Sequence, residues 1–400
     1  MRKFKLKNGI TVVHDQRDSD IVAIEVCVGT GSNNESKRVF GISHFLEHML
    51  FEGTKTRDSK QISETIENIG GEMNAATSNE RTFYYIKLPK DKINLGFDIL
   101  SDIIINPAFR QDVFEKERKV ILEEIKMVKD QPLLYQWVLF EQSIFKKHPT
   151  KNPVYGNVES VKAITRQDMV NYYGKWYVPG NMVLSVVGNI NNLPKLAEKF
   201  FGSIAKKRVP ATPKFIEPID TKPTFKKESR NINQAYFILG NKTVHKTHKD
   251  SVILDVISAI FSKGLSGRVS HEIRVKRGLA YSVGTHHESK IDYGFFVFYL
   301  NCDAKNLNLC KSIILEEITK LDNLKKPELE EAKTHLVGRS LMHKEDAQKR
   351  ADELASWEQI SSAKDADTYL DKVKKVTVAD ILRVKRKYLN SNYTSVLISK

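Results

Sequence analysis

Two stretches lying 212 residues apart carry nearly the same pattern, Val161 to Val170 (VKAITRQDMV) and Val373 to Leu382 (VKKVTVADIL). In each, a threonine suited to capping a helix, Thr165 or Thr377, stands three residues before an aspartate, Asp168 or Asp380. An apolar strand then follows at equal distance, Met182 to Val187 or Thr394 to Ser399. A period this long means a duplicated domain rather than a solenoid of short units. The length of 400 residues agrees, since single cores stop growing at roughly 250–300 residues. Between the copies, residues 206–227 hold Pro210, Pro213, Pro218 and Pro223 among several lysines, a composition that opposes regular structure. The sequence therefore predicts an N-terminal half-domain over 1–208, a linker over 209–228 and a C-terminal half-domain over 229–400.

Within the first half the signals come in blocks. Asn8-Gly9 marks a hairpin between alternating stretches, and Ile21 to Val28 reads as a further strand. Ile42 to Glu52 and Lys60 to Ile69 have helical period, with Gly70-Gly71 as the stop. Strands around Glu72 to Thr77 and Arg81 to Leu88 lead into helices near Ile93 to Ile105 and Gln111 to Lys129. This order predicts an α+β fold.

Composition narrows the classes of partner. Hydrophobic residues at 40% and charged residues at 28% suit a globular protein. The net charge of +15 is spread along the chain, and its densest cluster, from Lys372 to Lys387, sits in a helical pattern that reads as a solvated face. No nucleic-acid partner is expected. Cys27, Cys302 and Cys310 show no paired spacing, which points to a reducing compartment. No run approaches the roughly 18 apolar residues of a membrane span, and the first residues lack a signal-peptide pattern, so a cytoplasmic protein without membrane contact is expected.

The sharpest chemical signal is His44-Phe-Leu-Glu-His48. Residues four apart share a helix face, so both imidazoles can address one ion, with Glu47 on the adjoining edge as a base for metal-activated water. The order is that of the inverzincin motif. A helix carrying Glu115, Glu117, Glu123 and Glu124 offers the missing carboxylate. Glu117 and Glu124, seven apart, fall on one face, so one can bind metal while the other braces a ligand, whereas Glu123 faces elsewhere.

With these residues in place, the chain resembles the pitrilysin-type inverzincins, the family of insulin-degrading enzyme and the mitochondrial processing peptidase. The resemblance implies one Zn2+ per subunit held by His44, His48 and Glu124, which follows the motif at the family's spacing, with Glu47 as base and Glu117 as supporting carboxylate. It implies two half-domains, each a mostly antiparallel sheet flanked by helices, enclosing a peptide-binding cavity. Residues 74–85 look like the family's edge strand, on which a peptide lies as an added strand, with Asn74 and Ala75 at substrate-contacting positions. Arg274 to Tyr281 looks like its Arg/Tyr pair, in which Arg274 holds a substrate carbonyl and Tyr281 stabilises the oxyanion. The better-known single-chain members carry four half-domains and this sequence has two, so a homodimer is expected, with a heterodimer as the other form. The expected activity is zinc-dependent endopeptidase cleavage of peptides or unfolded segments. Its alternative is a non-catalytic subunit that supports or presents substrate to a peptidase assembly.

Overall fold

A computed structural model describes residues 1–400, which divide into two compact units. Neither is continuous in sequence. One comprises Met1–Lys126, Asn152–Pro213 and Met342–Ala366, the other Met127–Lys151, Lys214–Leu341 and Asp367–Lys400.

The first unit is built on a six-stranded sheet of β1 (Arg2–Lys5), β2 (Thr11–Asp15), β3 (Ile21–Val28), β4 (Glu72–Thr77), β5 (Thr82–Pro89) and β6 (Met182–Val187), ordered β1-β2-β6-β3-β5-β4. Only β2 and β6 run parallel; the other neighbours are antiparallel. The hairpin at Asn8-Gly9 forms as expected, with Gly9 at φ +106°, a conformation that a side chain would strain. The apolar faces of α1 (Ile42–Phe51), α2 (Ser59–Glu67), α3 (Ile93–Ile105), α4 (Gln111–Asp130), α6 (Val158–Ala163), α7 (Arg166–Trp176) and α8 (Leu193–Phe201) supply a single core with the sheet. α5 (Pro132–Ile144) belongs to the other unit.

The second unit holds β7 (Thr224–Ser229), β8 (Gln234–Lys242), β9 (Ala280–Ser289), β10 (Gly294–Asp303) and β11 (Thr394–Ser399) in the order β7-β11-β8-β10-β9. The one parallel pair is β7 with β11. Laid over the first unit, β2-β6-β3-β5-β4 and β7-β11-β8-β10-β9 share order and direction strand for strand. Both repeated threonines also cap as read: Thr165 Oγ1 accepts the Asp168 N–H at 3.1 Å, and Thr377 Oγ1 accepts that of Asp380 at 3.2 Å. Along the chain, the helix pair α4 and α5 has its counterpart in helices Lys326–Glu345 and Ala347–Ile360.

Two boundaries differ from the sequence division. The linker placed over 209–228 is irregular only to Pro223, because residues from Thr224 pair in parallel with β11 as an edge strand. The contiguous halves 1–208 and 229–400 also each give up a helical segment: α5 packs on β8 and β11 of the second sheet, while helix Ala347–Ile360 packs on β3 and β6 of the first. Amphipathic pattern says that a helix must cover a sheet, not which sheet.

The two covers differ in chemistry. α5 is held by Leu139, Phe140 and Ile144 against Ile238, Phe295, Val297, Val396 and Ile398. The Ala347–Ile360 helix adds ion pairs to its apolar contacts: Arg350 with Asp15 at 2.9 Å, Glu358 with Lys3 at 2.6 Å, and Asp352 with Arg81. Beneath it Glu25 is fully buried, 3.9 Å from Arg81, and burial together with the Asp352 charge pushes its carboxyl far above the ordinary range.

Candidate metal centre

α1 begins without a side-chain cap of its own. Its first position follows Gly41 at φ +93°, where an added Cβ would lie 2.6 Å from the Tyr155 carbonyl oxygen, so the turn admits only glycine. The cap comes instead from Glu35, whose carboxylate accepts the N–H groups of Gly41 at 2.7 Å and Ser43 at 2.8 Å. Ser43 Oγ lies 2.8 Å from the Tyr172 hydroxyl, itself 2.7 Å from Thr30 Oγ1. Burial, only partly offset by these donors, lifts the Glu35 carboxyl to about 7.

From this anchor the helix buries Ile42, Phe45, Leu46, Met49 and Leu50, which leaves His44, Glu47 and His48 together on the half-buried side. α4 is registered against it by the rings of Phe45 and Phe114, stacked at 4.6 Å between centroids. That contact brings Glu124 to the imidazoles: its Oε2 lies 3.8 Å from His44 Nε2 and 3.7 Å from His48 Nε2, and one ligand atom from each of the three residues falls within 4.8 Å of the others. Tetrahedral ligands at about 2.1 Å from zinc stand about 3.4 Å apart. The two distances from Glu124 to the imidazoles exceed this by a few tenths of an ångström.

The two imidazoles differ in protonation. Burial, then the His48 charge, drives His44 down to about 3, so its ring stays neutral. Its buried Nδ1 has no hydrogen-bond partner. His48 Nδ1 meets Glu117 Oε2 at 3.2 Å, and a proton shared there leaves the Nε2 lone pair facing Glu124. Burial lowers the His48 pKa, but the bond to Glu117 and the nearby carboxylates outweigh it and raise it overall. The His48 bond in turn holds Glu117 below the usual range despite burial. Glu123 points away and pairs with Lys126 at 2.6 Å, and Glu115 pairs with Arg118 at 2.9 Å.

Glu47 is raised above the ordinary carboxylate range by burial, against which the Thr77 hydrogen bond and the His48 charge act. A pKa moved upward suits a general base near neutral pH. Its Oε2 accepts the Thr77 hydroxyl. Thr77 ends β4, the edge strand that also carries Asn74 and Ala75, and Asn74 Oδ1 accepts the Ala75 N–H at 2.8 Å.

In the second unit, Arg274 lies on a single π-helical turn, His271–Val275, and Tyr281 on β9 with 78% of its surface exposed. The Arg274 guanidinium carbon stands 5.5 Å from the Tyr281 ring centroid, so the two are brought together. Glu35 and Thr77 escaped the sequence reading. An acid six residues before an uncapped Gly-initiated helix, and a hydroxyl in phase with Ala75 on an alternating edge strand, are the signals that were there to find.

The profile described as "Insulinase (Peptidase family M16)" matches residues 11–157, and the one described as "Peptidase M16 inactive domain" matches residues 163–336. Among curated proteins, the Bacillus subtilis "Uncharacterized zinc protease YmxG" is 31% identical, with 100% of this chain and 98% of the relative covered. A Rickettsia bellii "Uncharacterized zinc protease" is 30% identical over 98% of this chain and 96% of its own. Among solved structures, a protease from Helicobacter pylori superposes with a TM-score of 0.94 at 24% identity, covering 100% of this chain and 99% of that one.

Proposed function

Because the chain belongs to peptidase family M16, the insulinase family, we propose that it is a zinc-dependent endopeptidase that hydrolyses peptides or unfolded segments. The observation that carries this reading is the convergence of His44, His48 and Glu124 beside the poised carboxylate of Glu47. Bound zinc would supply Lewis-acid chemistry, lowering the pKa of water and polarising the scissile carbonyl.

The remaining work falls to the chain's own groups. A peptide laid along the open edge of β4 pairs through its backbone, which tolerates many side chains. Glu47 takes a proton from the attacking water as the new C–O bond forms, then passes it to the amine nitrogen as the C–N bond breaks. Glu117 holds His48 in the tautomer that a ligand needs. In this reading Arg274 holds a substrate carbonyl and the Tyr281 hydroxyl donates to the developing oxyanion. A second copy of the chain supplies the other two half-domains of a closed chamber.

The test is a peptide digest profiled by mass spectrometry, with purified protein, chelator-treated protein, zinc-restored protein and the Glu47→Gln variant. Expected are cleavage that chelation abolishes and zinc restores, and a loss of about 10²–10⁴-fold in Glu47→Gln. Full activity in that variant would overturn the assigned base. A protein that binds no zinc and cleaves nothing favours the non-catalytic subunit.

A further inference from the structure

The edge of β4 is open over only part of its length. At the turn after it, the Ser78 N–H donates to the Arg81 carbonyl at 2.8 Å, which makes Ser78 and Arg81 a bonded pair of the β4–β5 hairpin. Bonded and non-bonded pairs alternate along an antiparallel ladder. Ala76 and Asn74 therefore direct their backbone groups at β5, and Thr77, Ala75 and Met73 direct theirs at the open side. The Ala75 N–H accordingly takes the Asn74 side chain. Beyond Thr77 the edge is closed: the Ser78 carbonyl accepts the Ser32 N–H at 3.2 Å and the Asn79 carbonyl accepts the Asn33 N–H at 2.8 Å. Gly31 lies so near that an added Cβ would meet the Ser78 carbonyl oxygen at 2.1 Å. Thr77 is thus the last residue of the open edge, and its hydroxyl donates to the Glu47 carboxylate.

We propose that Thr77 is a positioning residue that couples peptide register to the base, its hydroxyl fixing Glu47 Oε2 at the point where strand pairing must stop. A bound peptide pairs with Ala75, displacing the Asn74 oxygen, and beyond Thr77 meets an edge already occupied by residues 32 and 33. Its next peptide group therefore leaves the edge beside Glu47, whose Oε1 faces the reacting water while Oε2 is held. The inference rests on the peptidase reading above and adds what orients the base and where pairing ends.

The test compares Thr77→Val, which keeps shape and backbone but removes the hydroxyl, with Thr77→Ser, which restores it. For zinc-loaded protein and an internally quenched peptide, Thr77→Val should lose about ten- to hundredfold in kcat with KM within about twofold. Zinc content and Tm should match the unsubstituted protein, and Thr77→Ser should recover to within about threefold. A crystal structure of Thr77→Val should show the Glu47 carboxylate turned from its wild-type orientation. Unchanged kcat, a loss confined to KM or to zinc binding, failure of serine to rescue, or an unmoved Glu47 would each overturn the proposal. Absence of zinc-dependent cleavage by the unsubstituted protein is a separate failure, that of the functional reading. The Glu47 orientation still judges the Thr77 contact in that case.

Discussion

Glu117 is the place where the structure makes a graded forecast. It is 6% exposed and meets His48 Nδ1 at 3.2 Å; its other oxygen lies 3.6 Å from the exposed Lys116 ammonium, a contact worth little in water. A hydrogen bond to a charged group contributes roughly 1.5–3 kcal/mol, about twice a neutral one. Glu117→Gln keeps an amide oxygen for the His48 N–H and should forfeit about half, on the order of 1 kcal/mol, or roughly fivefold in zinc affinity. Glu117→Leu loses the bond and frees the ring to turn, so zinc should bind about 10–100-fold more weakly. Titration against a chromophoric zinc chelator at pH 7.5 reads both, with Tm of the zinc-free proteins as the control for folding. Wild-type affinity in Glu117→Leu, or a weaker Gln than Leu variant, would refute the argument that this carboxylate sets the ring.

Two further predictions concern stability. Glu35→Ala leaves the Gly41 and Ser43 N–H groups without their acceptor and should cost about 1–2 kcal/mol in urea unfolding, with Glu35→Gln costing less because one acceptor oxygen remains. Burial, then the Glu288 charge, holds the Glu141 carboxyl up at about 8. The folded state thus keeps a proton that the unfolded chain releases near the ordinary carboxylate pKa, and the resulting stability, complete below that value, is lost as pH rises through 8. Glu141→Gln should therefore raise Tm by a few degrees at pH 9, on the order of 2 kcal/mol, and leave it unchanged at pH 4; equal Tm at pH 9 would refute it.

How much of this was legible in the sequence depended on how local each signal was. His44 and His48 could be paired because four residues on a helix fix their relative direction, and Glu117 and Glu124 because seven do the same. Joining those two helices needed the family spacing, since no period in the chain foretells the Phe45–Phe114 stack that registers them. Strands β3, β4, β6 and β11 fell where alternation or an apolar run placed them. Thr77 left only its phase with Ala75 as a trace, because its partner is thirty residues away on another element. Glu35 left only its spacing from Gly41 as a trace, because it caps across a loop whose path composition does not specify.

The exchanged helices bear on how such a chain can be made. All three side chains of the candidate metal site precede residue 126, yet the sheet beside them waits for residues 347–360 before its other face is covered. A ribosome-bound or proteolysed fragment ending in the proline-rich stretch would carry all three candidate ligands and still present Glu25, Arg81 and Asp15 without Asp352 and Arg350. The unit that carries the candidate metal site is therefore complete only when the chain extends through residue 360, nearly its full length.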